Sequence, residues 1–202
     1  PKERVAKVAP WLTLDGNVYP AVVNGRIVWI IDGYTTNSGY PYAKRVNLAQ
    51  ATSNSLTTSS AAVSPLPDKT VNYIRNSVKA TVDAYDGNVT LYKWDETDPV
   101  VNTWAKSFPG TLRNKSEMSA DLLAHIRYPE DLFGVQRDVL STYHVENASA
   151  YYGGQDFWRV PTDPSSMGAN NGIQPPYYTT MQMPGAKSPA FSLTTAFVPR
   201  GN

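Results

Sequence analysis

Cysteine is absent from the 202 residues. That removes disulfides, thiolate nucleophiles and thiolate metal ligands together. It leaves the compartment open, because exported and cytosolic domains alike can lack cysteine. Charge is scarce too: Asp, Glu, Lys and Arg make up 17% of the chain, below the roughly 25% of an ordinary soluble domain. The net charge is +1 with no basic run, so the overall field gathers neither nucleic acid nor an anionic membrane. Long apolar runs are also missing. The longest, Ile27 to Ile31, is five residues, whereas a helix crossing a bilayer needs about 20. The chain opens on PKERVAKVAP, without Met and without a leader of basic start and apolar core. It therefore reads as a piece of a longer protein.

The usual catalytic signatures are missing as well. His125 and His144 are the two histidines, and neither sits in an HxH or HExxH pattern, so no metal site is expected. There is no GxSxG elbow and no glycine-rich phosphate loop, since Gly153-Gly154 leads into Gln-Asp without lysine. No cofactor is implied. Among carboxylates, Asp32, Asp83 and Asp86 fall near strand ends or turns, where a pair at suitable separation could serve glycoside hydrolysis. Asp before a small residue is more often a turn former. Asp95, Glu96 and Asp98 cluster at a strand-to-helix junction, but their spacing is not that of a helix-loop-helix calcium site, and capping is the expected role. Asn72, Arg75 and Asn76 could bind an anionic ligand or tie down the loop entering a strand. His125 and Arg127 flank a corner before Tyr128 that could also hold a ligand.

What is present is a strong β signal. Val78, Ala80, Val82 and Ala84 alternate with Ser77, Lys79, Thr81 and Asp83, the period of a half-buried strand. Asp86-Gly87 is a turn, and Val89 to Trp94 runs back with Val89 and Leu91 on one face and Thr90, Tyr92 and Trp94 on the other. A second hairpin is expected at Val18–Val23, Asn24-Gly25 and Arg26–Asp32. Its second arm, RIVWIID, is apolar on both faces and so belongs in the middle of a sheet. VWIIDGY and ATVDAY end alike, but six matched positions are too few to establish a repeat.

Around these hairpins, Lys2–Val8 reads as a short helix stopped by Pro10. Residues 49–67 are rich in Ser, Thr, Ala and Pro and read as a flexible loop. Residues 98–144 read as a helical insertion. Asp98-Pro99 starts one helix with Val101, Trp104, Ala105 and Phe108 as its stripe, Ser119 caps a second, and Pro129 opens a third with Leu132, Gln136, Val139, Leu140 and Tyr143 on one face. Extended stretches at 177–183 and 191–198 are expected to return to the sheet. The fold expected is α+β in a single domain: an antiparallel sheet built from two hairpins, with an inserted group of short helices.

Four stretches, APWLTLDGNVYPAVVNGRIVWIIDGYTT, VNYIRNSVKATVDAYDGNVTLYKWDETDP, HIRYPEDLFGVQ and QPPYY, closely resemble uncharacterised protein family 0182 (UPF0182) of bacteria. The resemblance covers nearly the whole chain outside the Ser/Thr-rich loop. It implies a large integral membrane protein whose membrane helices precede a long extracytoplasmic region, with this chain cut from that region. It carries no established activity and no catalytic residue. Two functions stand as expectations. One is an extracytoplasmic binding, docking or assembly module, whose partners are the membrane-embedded rest of its own chain and a cell-envelope ligand. The abundance of Tyr and Trp suits such a surface. The other is a cell-envelope hydrolase acting on glycan through two of Asp32, Asp83 and Asp86.

Overall fold

A computed structural model describes residues 1–53, 65–164 and 172–201. Helix α1 (Lys2–Val8) and strand β1 (Thr13–Leu14) precede the first hairpin, β2 (Tyr19–Val23) and β3 (Arg26–Asn37). Strand β4 (Val46–Asn47), helix α2 (Leu48–Thr52) and strand β5 (Thr70–Val71) lead to the second hairpin, β6 (Tyr73–Asp83) and β7 (Val89–Lys93). Then come α3 (Pro99–Ser107), β8 (Leu112–Asn114), a 3-10 turn (Lys115–Glu117), α4 (Ala120–Ala124), α5 (Glu130–Tyr143) and α6 (Ala148–Tyr152). Strands β9 (Trp158–Arg159), β10 (Tyr177–Met181), β11 (Ala190–Thr194) and β12 (Val198–Pro199) complete the chain. The fold is α+β, and its main sheet is built on the two expected hairpins.

The sheet has six strands. β3 and β6 pair antiparallel at its centre, β7 follows β6, and β1 and β2 share the outer edge of β3. In the first hairpin Asn24 and Gly25 both take positive φ, 49° and 76°, which matches the right-handed twist of the arms. The second turn is wider than Asp86-Gly87 alone, because the Asp83 carboxylate accepts bonds from Tyr85 N (2.8 Å) and Asp86 N (3.3 Å) and ends the strand early. Strand β8 lies inside the stretch read as purely helical and adds to β7 in parallel. Its three residues carry no period long enough to read. The tail strands do not return to the sheet. β10 pairs with β11, and β9 with β12, as separate ribbons. Residues 49–52 of the expected loop are helical in α2, whose first turn is capped by Asn47 Oδ1 on Gln50 N. Residues 54–64 of that loop lie outside the described residues.

Both faces of the sheet are covered. On one, Ile31, Val78, Ala80, Val82 and Leu91 pack under Val5, Ala9, Leu12 and Val101, and Trp11 stacks on Trp104 at 5.2 Å. On the other, Ile30 and Tyr92 meet Ala21, Val23, Met118 and Leu122. Strand β6 is therefore buried on both faces, not half-buried. A third cluster joins Tyr34, Leu48, Val71, Leu132 and Val135 between the sheet's end, α2 and α5. Helix α5 buries Asp131, Gly134, Val135 and Arg137 as well as Leu132, while Leu140 and Tyr143 are exposed. Its true inner face is turned from the one its periodicity marks, because it packs on α2 and the sheet at once. No helix among the described residues is long and apolar enough to cross a membrane.

Candidate functional site

The site grows from a bulge. β3 and β6 stay in register from Val28↔Asp83 to Gly33↔Val78, then shift so that Tyr34 faces Asn76. Ser77 is the extra residue. One inserted residue resets the alternation of a strand, so Asn76 and Lys79 both emerge on the face that carries Asp32. Asn76 Nδ2 donates to Asp32 Oδ1 at 2.6 Å, and Lys79 Nζ forms a hydrogen-bonded ion pair with the same oxygen. Lys79 is 1% exposed and Asp32 2%. The ammonium also donates to Arg127 O at 3.1 Å and lies 5.3 Å from the Trp94 ring. The pair thus fixes the corner between α4 and α5 to the sheet.

Behind Asp32 sits a second set of buried carboxyls. Asp15 is 1% exposed and accepts bonds from Tyr34 OH and from Asn17 N at 2.6 Å, while Asp131 accepts from Gly16 N at 2.7 Å. Burial, then the charges of Asp131 and Asp32, push the Asp15 carboxyl up to about 8. It is therefore mostly protonated at neutral pH, which removes one of three neighbouring negative charges. Burial and Asp131 also raise Glu130, to about 7. On the opposite face Ser77 joins another network. Asp98, fully buried, accepts from Thr35 Oγ1 (2.6 Å), Ser77 Oγ (2.5 Å) and Tyr73 OH (2.5 Å) and caps α3 through Val100 N (2.9 Å). Burial acts to raise its carboxyl, but the three hydroxyl bonds outweigh it and hold it below the usual range. Burial and the bond to Asp98 push Tyr73 up to about 12.

Past Asn76, which bonds Asp32, runs an open groove of about 770 Å³, between the start of β6, the end of β7 and the α4–α5 corner. Ile74, Leu123, Leu132 and Tyr128 supply its apolar wall, and Arg75, Asp95, Glu96, Lys115 and Gln136 its polar rim. A narrower recess of about 300 Å³ shares Asn76, Trp94, Leu123, Tyr128 and Leu132 with it and reaches Lys79. Lys115 Nζ sits 3.8 Å from the Trp94 ring centre, so that indole face is already covered. Arg75 pairs with Asp95 at 2.6 Å, and Tyr128 OH donates to Gln136 Oε1 at 2.7 Å. Asn76 Oδ1 is buried and, among the described residues, accepts no hydrogen bond. A buried acceptor left unpaired costs about 1–3 kcal/mol.

The residues singled out from the sequence fall in different places. Arg75 and Asn76 line the groove. Asn72 does not join them; it exchanges two bonds with the Tyr40 backbone (3.0 and 2.6 Å) and holds the loop after β3. Asp83 and Asp86 share the hairpin turn and the Arg26 guanidinium, and the Arg26 bond, then that from Tyr85 N, pulls Asp83 down to about 2. Asp83 lies opposite Val28, four residues along β3 from Asp32, or about 13 Å at a strand's rise. That is beyond the roughly 5–9.5 Å of a glycosidase pair, so the three do not share a cleft. Asp32 itself is closed off by its partners. His125 Nδ1 contacts Asp121 O at 2.8 Å on the surface. Arg127 lies over Tyr19 at 4.6 Å, beside Tyr178 and Phe191 of the tail ribbon; it lines the narrower recess and, with His125, a further cavity of about 200 Å³.

Sequence reasoning missed Lys79, Trp94, Asp15 and Asp131 as parts of one site. Lys79 read as a solvent-facing residue of an alternating strand. One signal was available: an acid on one predicted central strand and a base on the other. Among the described residues, no group of three or more His, Asp or Glu is arranged to hold a metal ion.

A family model, described as Uncharacterised protein family (UPF0182), matches residues 1–202. A UPF0182 protein of Thermobifida fusca is 61% identical over 201 residues, covering 100% of this chain and 20% of its own length. One from Bifidobacterium longum is 57% identical over 204 residues, covering 100% of this chain and 19% of its own. One from Streptomyces coelicolor is 55% identical over 202 residues, covering 100% and 20%. The chain thus spans about a fifth of the length of the curated relatives it matches. No solved structure matches.

Proposed function

Because the chain belongs to the uncharacterised protein family UPF0182, we propose that it is an extracytoplasmic portion of an integral membrane protein and serves there as a docking module. The observation that supports this reading is the groove that Asn76 and Tyr128 line. Its wall of Ile74, Leu123, Leu132 and Tyr128 and its rim of both charge signs match an extended polypeptide, which presents apolar side chains and backbone N–H groups in alternation. A sugar ring fits less well, since Lys115 already covers a face of Trp94. The occupant we favour is a segment from the rest of the same protein, because about four fifths of each curated relative lies outside the matched portion.

The test uses the full-length protein in native membranes. A photo-crosslinking residue replaces Gln136 in the groove, and another replaces Tyr152, which is 89% exposed and outside it. The groove probe is expected to join a peptide from outside residues 1–202, and the control is not. Equal yields from both, or none, would end the docking reading. Sidedness is tested by Tyr42→Cys at a fully exposed site: a membrane-impermeant maleimide is expected to label intact cells, and labelling only after permeabilisation would contradict the orientation.

A further inference from the structure

A second cavity, of about 680 Å³, lies between α2, α5 and the β9–β12 ribbon, away from the groove. Among the described residues its lining brings together Lys44, Arg45, Arg137, Arg159 and Arg200 with a single acid, Asp138. The whole chain carries 18 basic and 17 acidic side chains. Five of those cations against one carboxylate around one cavity is therefore a concentration that folding created, since no basic run exists in the sequence. The five come from four separate segments of the chain.

Arg137 is the anchor. It is 4% exposed, yet it lines the cavity. Among the described residues it makes one side-chain hydrogen bond, to Gln174 O at 3.1 Å, and no ion pair. A guanidinium has five N–H donors, and a neutral carbonyl takes only one. Burial lowers its basicity, with Asp138 and Glu130 acting the other way. Asp138 is already engaged by Lys44 at 3.2 Å. The arginine's position is fixed by the helix pair: Gly134, one turn earlier, lets α2 approach so closely that a Cβ there would lie 3.0 Å from Ala51 O. The buried arginine is thus held rigidly with donor capacity to spare, while Arg45 and Arg200 stand exposed at the rim.

We infer that this cavity binds a phosphate-bearing anion, with Arg137 as the fixed fork and Arg45, Arg159, Arg200 and Lys44 as the surrounding cations. Planar guanidinium groups match two phosphate oxygens at once, and several converging arginines suit a multiply charged group better than a single carboxylate. A cavity of this size holds more than phosphate alone, so the anion is a phosphorylated small molecule or a phospholipid headgroup.

The test titrates the full-length protein, purified in detergent, at low salt. The probes are inorganic phosphate, glycerol phosphate, succinate, and vesicles of phosphatidylcholine with or without phosphatidylglycerol. The variants are Arg137→Lys, which keeps the charge but loses the fork, and Arg45→Glu/Arg200→Glu, whose exposed positions leave the fold intact. A phosphate probe is expected to bind, succinate to bind at least tenfold more weakly, and the double reversal to weaken phosphate at least tenfold. Arg137→Lys is expected to weaken it several-fold. Binding to soluble phosphates assigns a free phosphorylated compound; binding only to phosphatidylglycerol vesicles assigns a headgroup. Binding to none of inorganic phosphate, glycerol phosphate and phosphatidylglycerol vesicles, succinate binding equal to that of the phosphate-bearing probe, or a loss below tenfold in the double reversal overturns the inference.

Discussion

Removing one partner of the Asp32–Lys79 pair should expose how much the sheet and the α4–α5 corner depend on it. Lys79→Met keeps the length of the side chain and deletes the ammonium. Asp32, 2% exposed, is then left with Asn76 Nδ2 as its remaining described side-chain partner, and Arg127 O loses the Lys79 donor. Breaking a buried pair from one side costs about 3–5 kcal/mol, because a desolvated charge stays behind. With a urea dependence of about 2 kcal/mol per molar, the unfolding midpoint should fall by roughly 1.5–2.5 M. Asp32→Asn/Lys79→Met removes both charges, and the amide oxygen introduced by Asp32→Asn can still accept from Asn76. The double variant should recover to within about 1–2 kcal/mol of the parent. The assay is equilibrium urea unfolding of the parent, both single variants and the double variant, read by Trp fluorescence, with unchanged slopes required. A single-variant cost below about 1 kcal/mol, or a double variant whose cost is the sum of the singles, would refute the claim that this pair is desolvated and coupled.

Asp15→Asn should flatten the pH dependence of stability. The folded carboxyl holds its proton up to about 8 while the unfolded one loses it near 3.8, so Asp15 makes the parent less stable as pH rises across that window, by up to about 1.4 kcal/mol per unit. Thermal melts of parent and variant between pH 5 and 8 should diverge in the variant's favour; parallel curves would contradict the assignment. Asp98→Ala removes the α3 cap and leaves the Thr35, Ser77 and Tyr73 hydroxyls without their acceptor, at a cost of about 3 kcal/mol in urea unfolding. A cost under about 1 kcal/mol would mean those hydroxyls re-pair. Gly134→Ala drives a methyl to 3.0 Å from Ala51 O between two packed helices and should cost about 1–3 kcal/mol, measured the same way. A stabilised variant would show that α2 can give way.

Local rules account for most of what the sequence revealed. Asn24-Gly25 specified its turn because both residues tolerate positive φ, and Asp98-Pro99 and Ser119 marked helix starts because their side chains satisfy exposed N–H groups. RIVWIID declared a central strand through its two apolar faces. The family was also legible, since it rests on contiguous residues. The candidate sites were not. The groove floor depends on one inserted residue, Ser77, that turns Asn76 and Lys79 to the same side, and bulges leave no mark in composition.

What the sequence determined by itself, then, was the two hairpins and the capped starts of α3 and α4, because each depends on bonds within a few residues. Only the tertiary structure decided that Lys79 is buried, that Asp15 keeps a proton, that the tail strands pair among themselves as two separate ribbons, and that five dispersed cations line one cavity. Those outcomes depend on which segments meet across tens to more than a hundred residues. The free energy of a charge is set by the neighbours that displace its water, and those neighbours are assembled only when the chain closes on itself.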